Sequence, residues 1–195
     1  MVTLALGLML FLGVHSLRVF AEPWRAATIA AVGEKPWKGV FSLVSLAGFV
    51  LIVVGFRLFR ESPVVLWPQP PVWTHHVAAL LVLVAFVLLA AAYVPGNEIR
   101  ARLHHPMVLG VQAWALAHLI ANNTLADAML FGAFLAWSVL DLRSARRRDR
   151  AAHTVYPPGR RSRTVLTVVI GVLAWAVFAF WLHRVLIGVA PMHTV

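Results

Sequence analysis

Apolar residues fall in six long runs separated by short polar or proline-rich segments: residues 2–20, 39–56, 76–94, 106–121, 124–140 and 165–189. A helix that crosses the hydrocarbon core needs about 20 predominantly apolar residues, with a range of about 17–25. The first, second, third and sixth runs meet that length. The fourth and fifth are shorter, and only Asn122 and Asn123 part them. Asparagine tolerates the left-handed backbone of a tight turn, and Thr124 with Asp127 three residues on has the spacing of a helix-capping pair. The pattern predicts an all-α, polytopic membrane bundle of about six transmembrane helices in a single domain over residues 1–195, with helices four and five forming a tight hairpin. The first run carries no basic residue ahead of its apolar stretch and no small-x-small motif before His15 and Arg18. It therefore reads as a retained helix and not as a cleaved leader.

Composition narrows the function classes. The 195 residues are 61% hydrophobic and 12% charged, about half the charge of an ordinary soluble domain. A soluble enzyme, a disordered chain and a coiled coil are excluded on that ground. There is no cysteine, which removes disulfides, thiolate-ligated haem, iron–sulfur clusters, a cysteine nucleophile and covalently attached haem. The formal net charge of +10 comes from 17 Lys and Arg against 7 Asp and Glu. Arg18, Arg25, Lys35, Lys38, Arg100, Arg102 and the eight arginines between Arg143 and Arg163 fall on loops that share one side of a six-helix chain. Arg57, Arg60 and Arg184 fall on the other. By the positive-inside rule the basic loop at about residues 141–164 is cytoplasmic, solvated and little ordered, and both termini are periplasmic. The positive excess then reflects topology and contact with anionic lipid, and nucleic acid is not expected as a partner. The proline-rich segment from Ser62 to Pro71 reads as an interfacial linker between helices two and three.

Ionisable groups at membrane depth are costly, so each is a functional hypothesis. His15 in the first helix and His118 in the fourth are the most deeply placed. Neither has a carboxylate near it in sequence, and neutral imidazoles on different helices suit the axial positions of haem iron. On this reading His15 and His118 are metal ligands of a haem b. Arg18, one turn beyond His15, contacts a propionate, as Arg100 or Arg102 would. Trp114, four residues before His118, packs on the macrocycle. A competing metal site would use His76, His118 and His183. His104 and His105 precede Pro106 at a helix start and read as interfacial, Glu98 pairs with Arg102, Asp127 is a shallow cap, and His153 and His193 are solvated. No phosphate loop, Ser–His–Asp order or paired carboxylates is visible, so no catalytic residue is assigned.

Several strings together resemble the NnrU family of bacterial membrane proteins. They are Leu12-Gly13-Val14-His15-Ser16-Leu17-Arg18, Trp37-Lys38-Gly39-Val40-Phe41-Ser42-Leu43-Val44-Ser45-Leu46, Ala92-Tyr93-Val94-Pro95-Gly96-Asn97, His105-Pro106-Met107, Trp114-Ala115-Leu116-Ala117-His118, Asn123-Thr124-Leu125-Ala126-Asp127 and the Arg146–Arg150 run. The resemblance implies a multi-pass inner-membrane protein associated with denitrification and nitric oxide metabolism. The same domain is similar to the plastid 15-cis-zeta-carotene isomerase, which this chain resembles at His15-Ser16, His105-Pro106 and Ala117-His118. That enzyme is a haem b protein whose implied axial ligands fall on His15 and His118, and the likeness sets His105 among the residues on the cofactor side. Its cysteine three residues before the second ligand is replaced here by Ala115. The string His105-Pro106-Met107-Val108-Leu109-Gly110 also looks like the S-adenosylmethionine-binding motif of membrane methyltransferases of the isoprenylcysteine carboxyl type, without that motif's arginine and tyrosine. The partners implied are the lipid bilayer, haem, and a redox partner or small apolar substrate. The alternatives are an isomerase of that type, an S-adenosylmethionine-dependent methyltransferase, or a non-catalytic assembly factor.

Overall fold

A computed structural model describes residues 1–191, and the expectation for His193 lies outside the described residues. The described chain is all-helical. In order, the helices are α1 Val2–Phe20, α2 Glu22–Val32, α3 Glu34–Arg60, α4 Val72–Tyr93, α5 Glu98–Leu103, α6 Pro106–Ala121, α7 Leu125–Ala151, α8 Arg161–Val177 and α9 His183–Ile187, with a π-helical turn at Phe178–Leu182 joining the last two. Helices α1, α3, α4, α7 and the continuous stretch Arg161–Ile187 are long and apolar enough to cross a membrane, and Pro106–Ala121 is a shorter apolar helix. These make up the expected set of about six.

The chain divides into two compact units. Unit 1 comprises Met1–Pro68 and Asn123–Ser144, and unit 2 comprises Gln69–Asn122 and Ala145–Val195.

Unit 1 is organised by close approach of α1 to α3. Gly7 lies against the backbone of Leu51 and Ile52, Gly48 against Phe11, and Gly55 against Thr3 and Leu4, each so close that a methyl group would collide with backbone. Small residues let helix backbones meet where lipid supplies no hydrophobic drive for association. One feature departs from expectation. The stretch after Phe20, expected as loop, forms α2. It has Pro23 in its first turn and is ended by Gly33 at φ 88°, a conformation glycine adopts at little cost. The proline-rich segment that links α3 to α4 is pinned to the chain just before α7: Leu66 N–H donates to Asn123 O at 2.9 Å and Leu125 N–H to Val64 O at 2.8 Å. The capping pair is present. Asp127 N–H donates to Thr124 Oγ1 and Thr124 N–H to Asp127 Oδ2, both at 3.3 Å, and the Thr124 hydroxyl also bonds that carboxylate. Asp127 is buried, not shallow.

In unit 2, α4 packs on α6 through Gly110, which faces Ala85 O, and on α8 through Gly171, which faces Val87. The basic segment is more ordered than expected. Helix α7 continues through its arginines to Ala151. It ends where Thr154 N–H reaches back to Asp149 O at 2.9 Å with His153 at φ 48°, a Schellman-type stop. The segment that follows is fastened as well. Arg160 N–H donates to Gly96 O at 2.8 Å, Glu98 N–H donates to Thr164 Oγ1 at 2.9 Å, and Gly159 lies directly on the Asn97–Glu98 backbone. The Glu98 carboxylate accepts from the Thr164 hydroxyl at 3.2 Å, a partner 66 residues away where a local Arg102 pair was expected. Asn97, almost fully buried, holds this corner: its Nδ2 donates to Ala91 O and Val94 O, and its Oδ1 caps Arg100 N–H at 2.7 Å.

Candidate functional site

The two histidines singled out from sequence share one local construction. His15 Nδ1 lies 2.6 Å from Phe11 O, and His118 Nδ1 lies 2.8 Å from Trp114 O. A carbonyl only accepts, so each Nδ1 carries the proton and each Nε2 keeps its lone pair. In both cases the residue one turn earlier is aromatic and in contact with the imidazole. Phe11 stacks on His15 at 4.3 Å between centroids, and Trp114 lies 5.3 Å from His118. A backbone carbonyl on the far ring nitrogen is the usual orienting partner of a metal-bound histidine.

His15 belongs to unit 1 and His118 to unit 2. Around His15 stand Phe41, at 5.0 Å, and Trp137, at 6.1 Å and perpendicular to the imidazole. Trp137 Nε1 and Ser45 Oγ are buried without a hydrogen-bond partner. Arg18 lies 3.9 Å from Glu22 with more than half its side chain exposed, so its guanidinium is accessible beyond the His15 turn.

His118 lines a cavity of about 340 Å³ within unit 2. His75, Asn122 and His183 stand at the same end, while Val82, Leu89, Met107 and Val111 line the opposite part. Trp114, Trp175 and Phe178 supply aromatic walls, and no Asp, Glu, Lys or Arg faces it. The π-turn adds one residue to a helical turn where Phe178 and His183 line the wall, a deviation often found at functional sites. His183 Nδ1 bonds Val189 O at 2.7 Å, which fixes the same tautomer as in His118. The competing metal cluster is corrected here. His75, not His76, lines the cavity, and among the described residues no group of three or more His, Asp or Glu is placed to hold a metal ion.

His105 is committed elsewhere. Its Nε2 lies 2.8 Å from Asp149 Oδ2, and the Tyr156 hydroxyl donates to the same oxygen at 2.8 Å. His104, at φ 66°, stacks flat on Tyr156 at 4.0 Å. Burial pushes the Tyr156 phenol up from its ordinary value, and the Asp149 carboxylate adds to the rise by accepting its proton in a hydrogen bond. Arg102 is exposed at the end of α5. No local signal in the sequence marked Asp149, Tyr156 or Trp137. His75 and His183 carried one only as polar residues near helix ends.

These features define a polytopic helical membrane protein with a polar-ended intramembrane cavity. The chain matches the NnrU protein family over residues 3–191 and belongs to it. No curated protein and no solved structure matches it.

Proposed function

We propose that this NnrU-family chain is a bacterial inner-membrane protein that binds haem b through His15 and His118, with a redox or ligand-sensing role linked to denitrification and nitric oxide metabolism. One observation carries the reading. His15 and His118 each lie in an apolar helix with Nδ1–H held by the carbonyl one turn earlier, which directs Nε2 away from the helix's own backbone. Each histidine taken by itself suits the group: an imidazole of fixed tautomer with an aromatic neighbour and, around His118, a lining free of charge. When bound, haem b supplies a redox-active iron and, after loss of one imidazole, a position for a diatomic molecule. The chain's own residues bind and orient it. Phe11 and Trp114 restrain the imidazoles, Arg18 and Arg102 offer cations to propionates, and the apolar walls exclude water. His105 acts at one remove, since its Nε2 is bonded to Asp149. Ala115, fully buried, provides no exchange ligand, which favours stable ligation over a redox-gated isomerase.

The test is absorption spectroscopy on protein purified from membranes. The expected result is a red protein whose Soret band sharpens with resolved α and β bands on reduction. Colour should be lost in His15→Ala and in His118→Ala, and kept in His153→Ala. A colourless protein that binds S-adenosylmethionine would establish the methyltransferase alternative, and one that binds neither would leave an assembly role.

A further inference from the structure

We infer that residues 188–191 form a strap that closes the unit 2 cavity at its histidine-bearing end, and that the hydrogen bond from His183 Nδ1 to Val189 O is the latch that sets access. The inference concerns entry to the cavity. It goes beyond the haem reading, uses neither His15 nor His118, and holds for any occupant.

The strap follows from how the last span ends. In the π-helical turn Phe178–Leu182, His183 N–H donates to Phe178 O. Residues five apart in an α-helix point about 140° away from each other, at about 100° per residue. The extra residue of a π-turn brings them to one side. Phe178 and His183 accordingly both line the cavity, with their rings edge to face at 5.8 Å. Helix α9 then stops at Gly188, whose φ of 79° reverses the chain, a conformation that glycine adopts at little cost. Arg184 to Gly188 are exposed, whereas Val189, Ala190 and Pro191 are partly buried again and line the cavity.

Where the returning residues lie makes them a closure. His75 is in the first turn of α4, Asn122 directly follows α6, and His183 opens α9. All three line the cavity together with Val189, Ala190 and Pro191. The strap therefore crosses the end at which α4 begins and α6 stops, where a space walled lengthwise by helices would otherwise open. His183 Nδ1 lies 2.7 Å from Val189 O. A carbonyl only accepts, so the imidazole donates, and the bond ties the strap to the cavity wall. Val189, Ala190 and Pro191 have no polar side-chain atom, so their side chains offer apolar contact and their backbone takes the latch. One hydrogen bond of ordinary net strength shifts an equilibrium about fivefold. That suits a segment that opens and recloses, not a permanent seal.

Thiol accessibility in the full chain in nanodiscs tests this, since the chain has no cysteine of its own. Val82→Cys places a reporter on the cavity wall, and Ala79→Cys a second one on the same helix. The reagent is a small hydroxylated methanethiosulfonate, with the rate followed by mass spectrometry. His183→Phe keeps an aromatic ring and removes the donor, and should raise the rate at either reporter about fivefold. His183→Asn is smaller but keeps an N–H close to the Nδ1 position, and should leave the rate near that of the parent. If room in the cavity governed entry, that order would reverse. Gly188→Val, which cannot hold φ 79° without strain, should match or exceed His183→Phe. The exposed Ala152→Cys thiol should react alike in every background, and thermal unfolding of each variant separates an opened strap from a lost fold. An unchanged rate in a folded His183→Phe protein, or faster labelling in His183→Asn than in His183→Phe, would overturn the inference. Absorption spectra of the same samples report separately on haem, so a colourless protein whose labelling follows the latch retires only the haem reading.

Discussion

At the scale of single residues, the polar interior of this chain is economical, and its clearest network lies away from the two principal histidines. Tyr156 and His105 share one oxygen of Asp149, and His104 stacks on the tyrosine. Tyr156→Phe removes a bond to a carboxylate at a partly exposed site, so an unfolding free energy lower by about 1 kcal/mol is expected. The pH dependence has a defined sign. The folded phenol titrates above its ordinary value of 10, so the folded state holds its proton more tightly than the unfolded chain. The resulting stability is fully present below pH 10 and is lost as pH rises through the folded value. Denaturation between pH 8 and pH 12 should show this alkaline decline in the wild type and a shallower one in Tyr156→Phe. The network also marks what sequence conceals. His15 and His118 stood out because their neighbours are apolar and an ionisable group there needs a reason. His105 and Tyr156 stand 44 and 7 residues from Asp149, and no local pattern announces either pairing. His105 was therefore expected on the cofactor side, whereas it is bonded to a loop-fastening carboxylate.

Helices were legible where length and apolar periodicity determine them, and less so where they end. Helix α7 outlasts its apolar run because charge does not break a helix. The run from Arg143 to Arg150 holds no glycine or proline, and the breakers Pro157, Pro158 and Gly159 come later. Helix α2 was missed for the converse reason: 11 residues rich in alanine make no spanning run. Close packing between helices was also invisible in sequence, since Gly55 and Gly132 look alike there. In the fold, a Cβ on Gly55 would strike the Leu4 backbone, whereas one on Gly132 meets nothing within 4 Å. Gly55→Ala should therefore destabilise unit 1 by about 1–3 kcal/mol through overpacking. Gly132→Ala should stabilise α7 by about 0.5–1 kcal/mol through helix propensity. Thr124→Ala, which breaks the reciprocal cap with Asp127, should cost about 1 kcal/mol. Thermal unfolding in detergent ranks the three, and an equal response of the two glycines would remove the packing account of α1 on α3.

At the scale of the whole molecule, orientation follows from charge. Helices that cross a membrane are directed by lysine and arginine in short flanking segments, while acidic residues contribute little. With six spans, fourteen of the 17 basic residues fall on one side, and Arg57, Arg60 and Arg184 on the other. An odd number of spans would divide the cluster between Arg143 and Arg163 from the group between Arg18 and Lys38. The same arginines cover the ends of α7 and α8 that join through the fastened segment at residues 152–160. Anchoring that end to an anionic cytoplasmic leaflet gains about 1 kcal/mol per basic residue near the surface. The expected topology has both termini periplasmic and the polar end of the unit 2 cavity toward the periplasmic side, because His75 opens α4 and His183 closes the last span. Single cysteines at Thr3, Pro68, Arg146 and Arg160, placed in a chain that has none of its own, make the test direct. A membrane-impermeant maleimide applied to intact cells should label the first two and spare the arginine positions until the membrane is opened. Replacing Arg146, Arg147, Arg148 and Arg150 with glutamine should weaken the bias and produce a mixed labelling pattern. Labelling of Arg146→Cys in intact cells would reverse the orientation and turn the His75 and His183 end of the unit 2 cavity toward the cytoplasm.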